Sequence, residues 1–197
     1  MIDLARLQSR LGISVDGIAG PNTYRALFAR AGASPTMAGE LAIGANAHFT
    51  AFGLLDNGLR LAHFMSQVAH ESAGFRFMSE IWGPTPAQLG YEGRADLGNR
   101  VPGDGYRYRG RGPLEITGRL NYHKFGALAG IDFESHPELV EIPSVGLHVA
   151  CLFWADRAIN VPADADDLEA VTRLVNGGLN GLDDRRARLL KMKSLIL

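Results

Sequence analysis

Hydrophobic periodicity along the chain predicts helices and no strands. Apolar residues recur at helical spacing in residues 4–11, and residues 59–73 contain neither glycine nor proline. The segment 144–156 is apolar on nearly every side, which is typical of a central buried helix. No segment alternates regularly between apolar and polar residues, as a half-buried strand would. We therefore predict an all-α protein.

Capping residues and glycines set the expected helix ends. Gly12 is a natural stop for the first helix, and Asn22 or Thr23 is the expected cap of the second. Asp166 or Asp167 is the expected cap of a late helix that ends before Gly177. The predicted helices cover residues 4–11, 22–31, 59–73, 144–156, 167–175 and 183–195. Residues 33–36, Ala-Ser-Pro-Thr, are interpreted as a linker.

The middle of the chain is rich in glycine and poor in periodicity. Nine of the 24 glycines lie in the 36 residues from Gly83 to Gly118. We therefore predict that residues 83–113 form a long irregular loop. Such loops in compact domains are usually functional or disordered. Four aromatic residues within or beside this loop favour a functional one: Trp82, Tyr91, Tyr106 and Tyr108.

Composition and charge narrow the class of protein. With 46% hydrophobic and 21% charged residues, the chain has the composition of a folded globular protein. A net charge of −1 argues against a nucleic-acid partner. The single cysteine, Cys151, lies in an apolar segment and is interpreted as a buried inert thiol. The chain has no apolar run long enough to span a membrane and no signal-peptide core, so we expect synthesis in the cytosol without membrane insertion.

Two acidic residues suggest chemistry on sugars. Glu71 ends the predicted helix 59–73, and Glu80 follows nine residues later. A zinc protease motif would need histidine at position 74, which is glycine, so we expect no metal and no cofactor. A protonated acid and an ionised base flanking a polar aromatic loop suit glycoside hydrolysis, although paired acids also occur on solvated surfaces. Burial beside Phe75 and Phe77 is expected to raise the pKa of one partner, and Glu92 is a rival base.

Several motifs in order resemble glycoside hydrolase family 19, the chitinase and endolysin group. Residues 70–75, His-Glu-Ser-Ala-Gly-Phe, are similar to its motif around the catalytic acid. Residues 108–113, Tyr-Arg-Gly-Arg-Gly-Pro, are similar to its Tyr-x-Gly-Arg-Gly signature. Residues 175–178, Val-Asn-Gly-Gly, resemble its Asn-Gly-Gly motif. The resemblance spans residues 38–197 and implies a lysozyme-like helical glycosidase fold with a long loop-rich middle.

The resemblance also implies roles for individual residues. Glu71 matches the general acid, Glu80 the general base of the phage-endolysin branch, and Thr117 the residue that helps to hold the attacking water. The positions implied in substrate binding are Gln67, Tyr108, Arg111, Glu115, Asn121 and Asn176. Glu115 departs from the pattern, since many members have glutamine there. The implied mechanism is inverting, with carboxyl groups roughly 6.5–9.5 Å apart.

The first residues have a likeness of their own. Residues 7–23 resemble about half of a helical peptidoglycan-binding module, so we expect a short segment 1–34 and a catalytic domain 38–197. Whether this segment binds cell wall or only packs onto the catalytic domain is left open.

The expected function is that of an endolysin. Such a glycosidase hydrolyses β-1,4 bonds between the N-acetylated sugars of peptidoglycan strands. We expect a monomer that stays in the cytoplasm of the host bacterium until it is released to the periplasm. The alternatives are a chitinase, a lytic transglycosylase and a non-catalytic wall-binding protein.

Overall fold

The computed structural model describes residues 1–197 and is helical, which confirms the predicted all-α class. The eleven α-helices are α1 Leu4–Leu11, α2 Pro21–Ala31, α3 Pro35–His48, α4 Gly58–Glu71, α5 Pro86–Leu89, α6 Asp104–Arg107, α7 Arg119–Ala129, α8 Pro143–Asp156, α9 Asn160–Asp164, α10 Leu168–Asn176 and α11 Leu182–Ile196. Two 3₁₀ turns cover Ala95–Leu97 and Pro137–Glu141. None of the helices combines the length and the apolarity that a membrane span requires.

The N-terminal helices differ from the prediction at their starts. Helix α2 begins at Pro21, whose fixed φ suits the first helical position, and neither predicted residue caps it. The hydroxyl of Thr23 instead donates to the carbonyl of Ile18 in the preceding loop. The prediction of a linker over residues 33–36 is wrong for its last residues. Helix α3 already begins at Pro35, and Ser34 caps it by accepting from the amide of Met37.

Five α-helices were absent from the prediction: the short α5 and α6 within the loop predicted at 83–113, the short α9, and the longer α3 and α7. Helix α3 has the sequence PTMAGELAIGANAH, whose small residues and two glycines give no clear apolar stripe. It packs against α8, where Gly44 lies so close to the backbone of Ser144 that a side chain would not fit. Helix α7 begins directly after Gly118, which has a φ of 91° and no capping side chain. Helices α3 and α7 depend on tertiary contacts more than on local signals.

Helix α8 lies at the centre of the core, as its apolar sequence predicts. Trp154 and Cys151 are fully buried on it, and Trp154 packs edge-on against Phe64 of α4. Burial raises the pKa of the Cys151 thiol well above its ordinary value, so the thiol stays protonated. The prediction of an inert buried cysteine is confirmed.

The N-terminal segment shares this core. The buried side chains of Leu7, Leu11 and Leu27 belong to the same apolar cluster as α8. Phe28 packs edge-on against Phe75, with ring centroids 5.3 Å apart. Of the two possibilities left open for residues 1–34, packing onto the rest of the chain is observed; cell-wall binding stays a prediction.

Replacing Phe28 by leucine should therefore destabilise the whole chain. Phe28 lies before the proposed boundary, and its ring packs against Phe49 and Phe75 beyond it. We therefore expect the free energy of unfolding to fall by roughly 1–2 kcal/mol. Urea unfolding followed by both circular dichroism and tryptophan fluorescence measures it. One shared transition that shifts in both signals is expected, whereas two separate transitions would show an independent N-terminal module.

Candidate active site

Short antiparallel pairing brings the residues after α4 beside the glycine-rich motif. The amide of Glu80 donates to the carbonyl of Gly110 at 2.9 Å, and the amide of Gly112 donates to the carbonyl of Met78 at 2.9 Å. Arg111 forms isolated bridges with residues on both sides of it, Ser79 and Ile116. This pairing explains how two motifs separated by 30 residues form one site.

Glu71 is the last residue of α4, and its side chain is 18% exposed. Its carboxylate accepts from the guanidinium of Arg185 at 2.5 Å, and Arg185 itself is only 1% exposed. The same guanidinium donates to the side-chain oxygen of Gln67 and to the carbonyl of Asn180. Arg185 thus ties α11 to the end of α4 and fixes the position of Glu71.

The chain turns sharply after Glu71. Ala73, Gly74 and Phe75 all have positive φ, of 51°, 75° and 63°. Two of the three are not glycine, which is uncommon and marks a strained turn. Ser72 supports it, because its hydroxyl accepts from the amide of Phe75. The turn ends α4 two residues earlier than its sequence predicts.

Glu80 is oriented by three donors. Its carboxylate accepts from the side-chain amide of Gln88 at 3.0 Å, from the hydroxyl of Tyr91 at 3.3 Å and from the backbone amide of Gly110 at 3.2 Å. Gln88 is itself held in a capping box with Thr85 at the start of α5. The loop 83–113 therefore builds one wall of the site.

Glu115 is the third carboxylate of the site. It lies on the turn between Arg111 and Ile116 with a φ of 51°. Burial and the negative charges of Glu80 and Glu71 raise the pKa of Glu115 to about 8. The carboxyl with the raised pKa is therefore one that the sequence analysis assigned only to substrate binding.

The predicted apolar environment forms only in part. Phe75 is buried against α2, whereas Phe77 is 43% exposed. The two rings therefore do not form one shared pocket around a carboxyl group.

Three polar residues of the predicted site are at least partly exposed. The hydroxyl of Thr117 donates to the carbonyl of Glu115 at 2.9 Å. The side-chain amide of Asn121 donates to the carbonyl of Thr117 at 2.7 Å. Thr117 and Asn121 are half-buried next to the carboxylates, and Asn176 is exposed at the end of α10. Their predicted roles toward water and sugar stay predictions.

The other three predicted binding residues are buried. Gln67 is bound to Arg185 and lies under Glu71. The hydroxyl of Tyr108 donates to the carbonyl of Glu134 at 2.9 Å, and the guanidinium of Arg111 donates to Glu141 at 2.7 Å. As the structure places them, these side chains support the site from below. The sugar contacts predicted for them stay predictions.

Three further residues that could act as acids or bases have structural partners. The carboxylate of Glu92, the rival base, accepts from the amides of Gly103 and Gly105 and braces a loop turn. His63 is buried and hydrogen-bonded to Asp166 at 2.8 Å. His70 is hydrogen-bonded to Asp184 of α11 at 2.6 Å, so the carboxylate that it contacts is not Glu71.

Aromatic rings form a rim near Glu80. Trp82 packs edge-on against Tyr106, with centroids 5.2 Å apart, and tilts toward Tyr91 at 6.3 Å. Tyr106 is exposed, and the guanidinium of Arg109 lies 4.5 Å from its ring centroid. Flat rings beside polar groups are suited to sugar rings. A cavity of about 960 Å³ adjoins this rim: Tyr106 and Arg109 line it together with Arg107 and Arg119, and none of the three site carboxylates does.

Sequence reasoning missed Arg185 and Gln88 as residues of the site. Arg185 stands in the run Asp-Asp-Arg-Arg at 183–186, which looks like a solvated helix face. It is 114 residues from Glu71, and no local pattern indicates their contact. The signal that could have found Gln88 is the Thr-Pro-Ala-Gln sequence at 85–88, which is typical of a capping box.

The helical fold and this group of carboxylates are those of a glycoside hydrolase. A family model described as chitinase class I matches residues 29–170. The chain belongs to glycoside hydrolase family 19. Asn176 and Arg185 lie beyond the matched residues.

Relatives of known sequence agree with this assignment. A glycosyl hydrolase family 19 domain-containing protein of Haemophilus influenzae is 34% identical over 156 residues, which are 66% of this chain and 76% of that protein. Chitinase 6 of Oryza sativa is 27% identical over 85% of this chain and 64% of its own length. The chain spans only 39% of the endochitinase At2g43610 of Arabidopsis thaliana.

Solved structures share the fold. Chitinase C of Streptomyces griseus aligns with a TM-score of 0.62 at 20% identity, covering 78% of this chain and 68% of that one. A class IV family 19 chitinase of Zea mays aligns with a TM-score of 0.56 at 21% identity, covering 98% and 89%.

Proposed function

We propose that this chain hydrolyses β-1,4 bonds between N-acetylated sugars of bacterial peptidoglycan by an inverting mechanism. The observation that carries the proposal is that Glu71 and Glu80 are each fixed by separate donors and both lie close enough to Glu115 to raise its pKa. Two carboxyl groups in fixed positions, at a polar site that is bordered by aromatic rings, suit glycoside hydrolysis.

The proposed reaction is a single displacement. Glu71 donates a proton to the leaving glycosidic oxygen, and Glu80 removes a proton from a water that attacks the opposite face of the sugar. Thr117 helps to hold that water, while Asn121 and Asn176 bind hydroxyl or acetamido groups. The released sugar then has an inverted anomeric centre, which proton NMR of the first products can read directly.

Peptidoglycan is favoured over chitin by the N-terminal loop. Its motif resembles a wall-binding module, and the loop is well ordered: the side chain of Gln8 accepts from the amides of Asp16 and Gly17 and donates to Thr23. The relative from Haemophilus influenzae comes from a bacterium, whose own wall contains peptidoglycan, and this favours the same substrate class. The printed names of the plant relatives support chitin as the second candidate.

Parallel digestion tests the substrate. Purified peptidoglycan and chitin oligomers are incubated with the chain, and products are identified by mass spectrometry. We expect soluble muropeptides with ordinary reducing ends. Cleavage of chitin alone would replace this proposal with a chitinase, anhydro ends would show a transglycosylase, and binding without any cleavage would show a non-catalytic wall-binding protein.

Wall binding by the N-terminal loop is tested with surface variants, because removing residues 1–34 would open the core. Val15 and Ile18 are exposed apolar side chains in this loop. The double substitution Val15→Ser and Ile18→Ser is expected to lower the fraction that sediments with cell walls. Val161→Ser changes an equally exposed residue of α9 and serves as the control. Unchanged sedimentation of the double variant would remove the binding role.

The partners and location follow from this proposal. We propose that the enzyme acts as a monomer on peptidoglycan strands and without a cofactor. We also propose that it remains in the cytoplasm of the host bacterium until a membrane lesion releases it to the wall.

A further inference from the structure

We propose that Glu115 works as an uncharged carboxylic acid that donates a hydrogen bond to the glycan, and that loss of its proton limits the enzyme at alkaline pH. This inference rests on the proposed glycosidase function and concerns a residue to which general acid or base chemistry is not assigned. The supporting observation is the unequal distribution of hydrogen-bond donors among the three carboxyl groups, Glu71, Glu80 and Glu115.

The site has fewer cations than carboxyl groups. The guanidinium of Arg185 is bound to Glu71, Gln67 and the carbonyl of Asn180. Arg111 is nearer to Glu115 in sequence, but its guanidinium is directed to Glu141, Tyr122 and the carbonyl of Arg107. Neither arginine donates to Glu80 or Glu115. The negative charges of these two groups therefore repel each other without a cation bound to either, which favours a proton on one of them.

Hydrogen bonds decide which group holds it. The carboxylate of Glu80 accepts from three donors, and each such bond favours the ionised form. The carboxyl group of Glu115 accepts from no protein donor, and the residue is half-buried. A carboxylate that has no protein donor and lies near other carboxylates is less favourable there than a neutral acid. The proton therefore resides on Glu115.

The backbone keeps Glu115 in this position. Its amide donates to the carbonyl of Gly112, and its carbonyl accepts from the hydroxyl of Thr117. Its carboxyl group lies directly on Gly110, where even a Cβ atom would overlap with Oε2. A side chain at position 110 would therefore displace the carboxyl group of Glu115 from this place. The amide of Gly110 already donates a hydrogen bond to Glu80 and is therefore not a donor for Glu115.

Most of the groups around Glu115 act in one direction. Burial raises the pKa of Glu115 most, and the charge of Glu80 in the segment after α4 raises it further. Glu71 at the end of α4 adds to this whenever it is ionised, and Arg111 opposes these effects. The negative charge of Glu115 in turn contributes to the raised pKa of Tyr91 and of Tyr122. With a pKa of about 8, Glu115 is neutral over the range in which Glu80 is needed as a base.

A neutral carboxylic acid and an amide offer the same pair of functions. Each has one donor and one carbonyl acceptor in the plane of the group, whereas a carboxylate only accepts. Glu115 occupies the position at which many relatives of the resembled family have glutamine. Below pH 8 it can donate to a hydroxyl or an acetamido carbonyl as glutamine would, and above pH 8 it loses that ability.

The pH dependence of Glu115→Gln tests the proposal. We expect kcat/KM of the variant to match the wild type within a few-fold at pH 5–7. Between pH 7 and pH 9 the ratio of variant to wild type should rise about 10-fold, because the wild type loses its donor. Glu40→Gln, at an exposed position of α3, is the control and should give a flat ratio. A flat ratio for Glu115→Gln, or a 10²-fold loss at pH 6, would overturn the proposal.

Thermal unfolding gives a readout that needs no substrate. The folded-state pKa of Glu115 lies above its unfolded value, so the stability that its proton gives is present at low pH and is lost as pH rises toward 8. The Tm of Glu115→Gln minus that of the wild type should therefore increase between pH 5 and pH 9. A constant difference would refute the uncharged acid. If this shift appears while neither glycan is cleaved, the proposed function fails and the protonation of Glu115 stands.

Discussion

Glu71→Gln is expected to lower kcat on peptidoglycan about 10²- to 10⁴-fold, because the amide keeps the shape of the side chain but has no proton to transfer. The same loss is expected for Glu80→Gln, whose amide cannot take a proton from water. Release of soluble muropeptides at saturating substrate measures both. The carboxyl groups are held by different donors, so each substitution removes one chemical function without disturbing the other group.

The folded state and binding of these variants must be unchanged for this interpretation. We expect both to sediment with cell walls as the wild type does. Glu80→Gln should unfold at a similar urea concentration. Glu71→Gln leaves the buried guanidinium of Arg185 without its anion, so it should unfold at a lower concentration and is assayed well below its midpoint. Glu40→Gln removes one negative charge at an exposed position and should keep full activity. Full activity of either Glu71→Gln or Glu80→Gln would show that the residue is not catalytic.

Arg185→Met is expected to reduce both stability and activity. The substitution leaves Gln67 buried without its partner and leaves Glu71 without its cation, and breaking a buried pair in this way costs about 3 kcal/mol. Because the position of Glu71 is no longer fixed, kcat should also fall about 10²-fold in the fraction that is folded. Urea unfolding and kcat measured well below the unfolding midpoint separate the two effects.

Arg186→Met provides the matched control. Arg186 is the next residue of α11, is 51% exposed and forms only a surface pair with Asp183. We expect its replacement to change stability by less than about 1 kcal/mol and to leave kcat unchanged. If Arg185→Met behaved like Arg186→Met, Arg185 would have no positioning role.

Local signals in the sequence predicted most of the helices. The bounds of α1 agree with the prediction, since its apolar spacing and Gly12 are unambiguous. Asp167 caps α10 and Gly177 ends it, as expected. Helices α3 and α7 escaped because the first has few large apolar residues and the second begins without a capping side chain. Both are stabilised by neighbours that are distant in sequence.

The site was predictable where its residues belong to one motif. The resemblance led to Glu71, Glu80, Glu115 and Thr117, and the structure brings these residues together. It did not indicate which carboxyl group would hold a proton. That depends on how donors from the loop and from α11 are distributed, and such contacts appear only in the folded chain.

Because Arg185 lies late in the sequence, it is synthesised after the carboxyl groups of the site. Residues 29–170 carry the family match and all three carboxyl groups, yet the cation that fixes Glu71 is synthesised after them. A nascent chain that has folded its first helices on the ribosome therefore still lacks the cation that holds Glu71. The position of Glu71 would be fixed only once α11 has emerged and docked against α4.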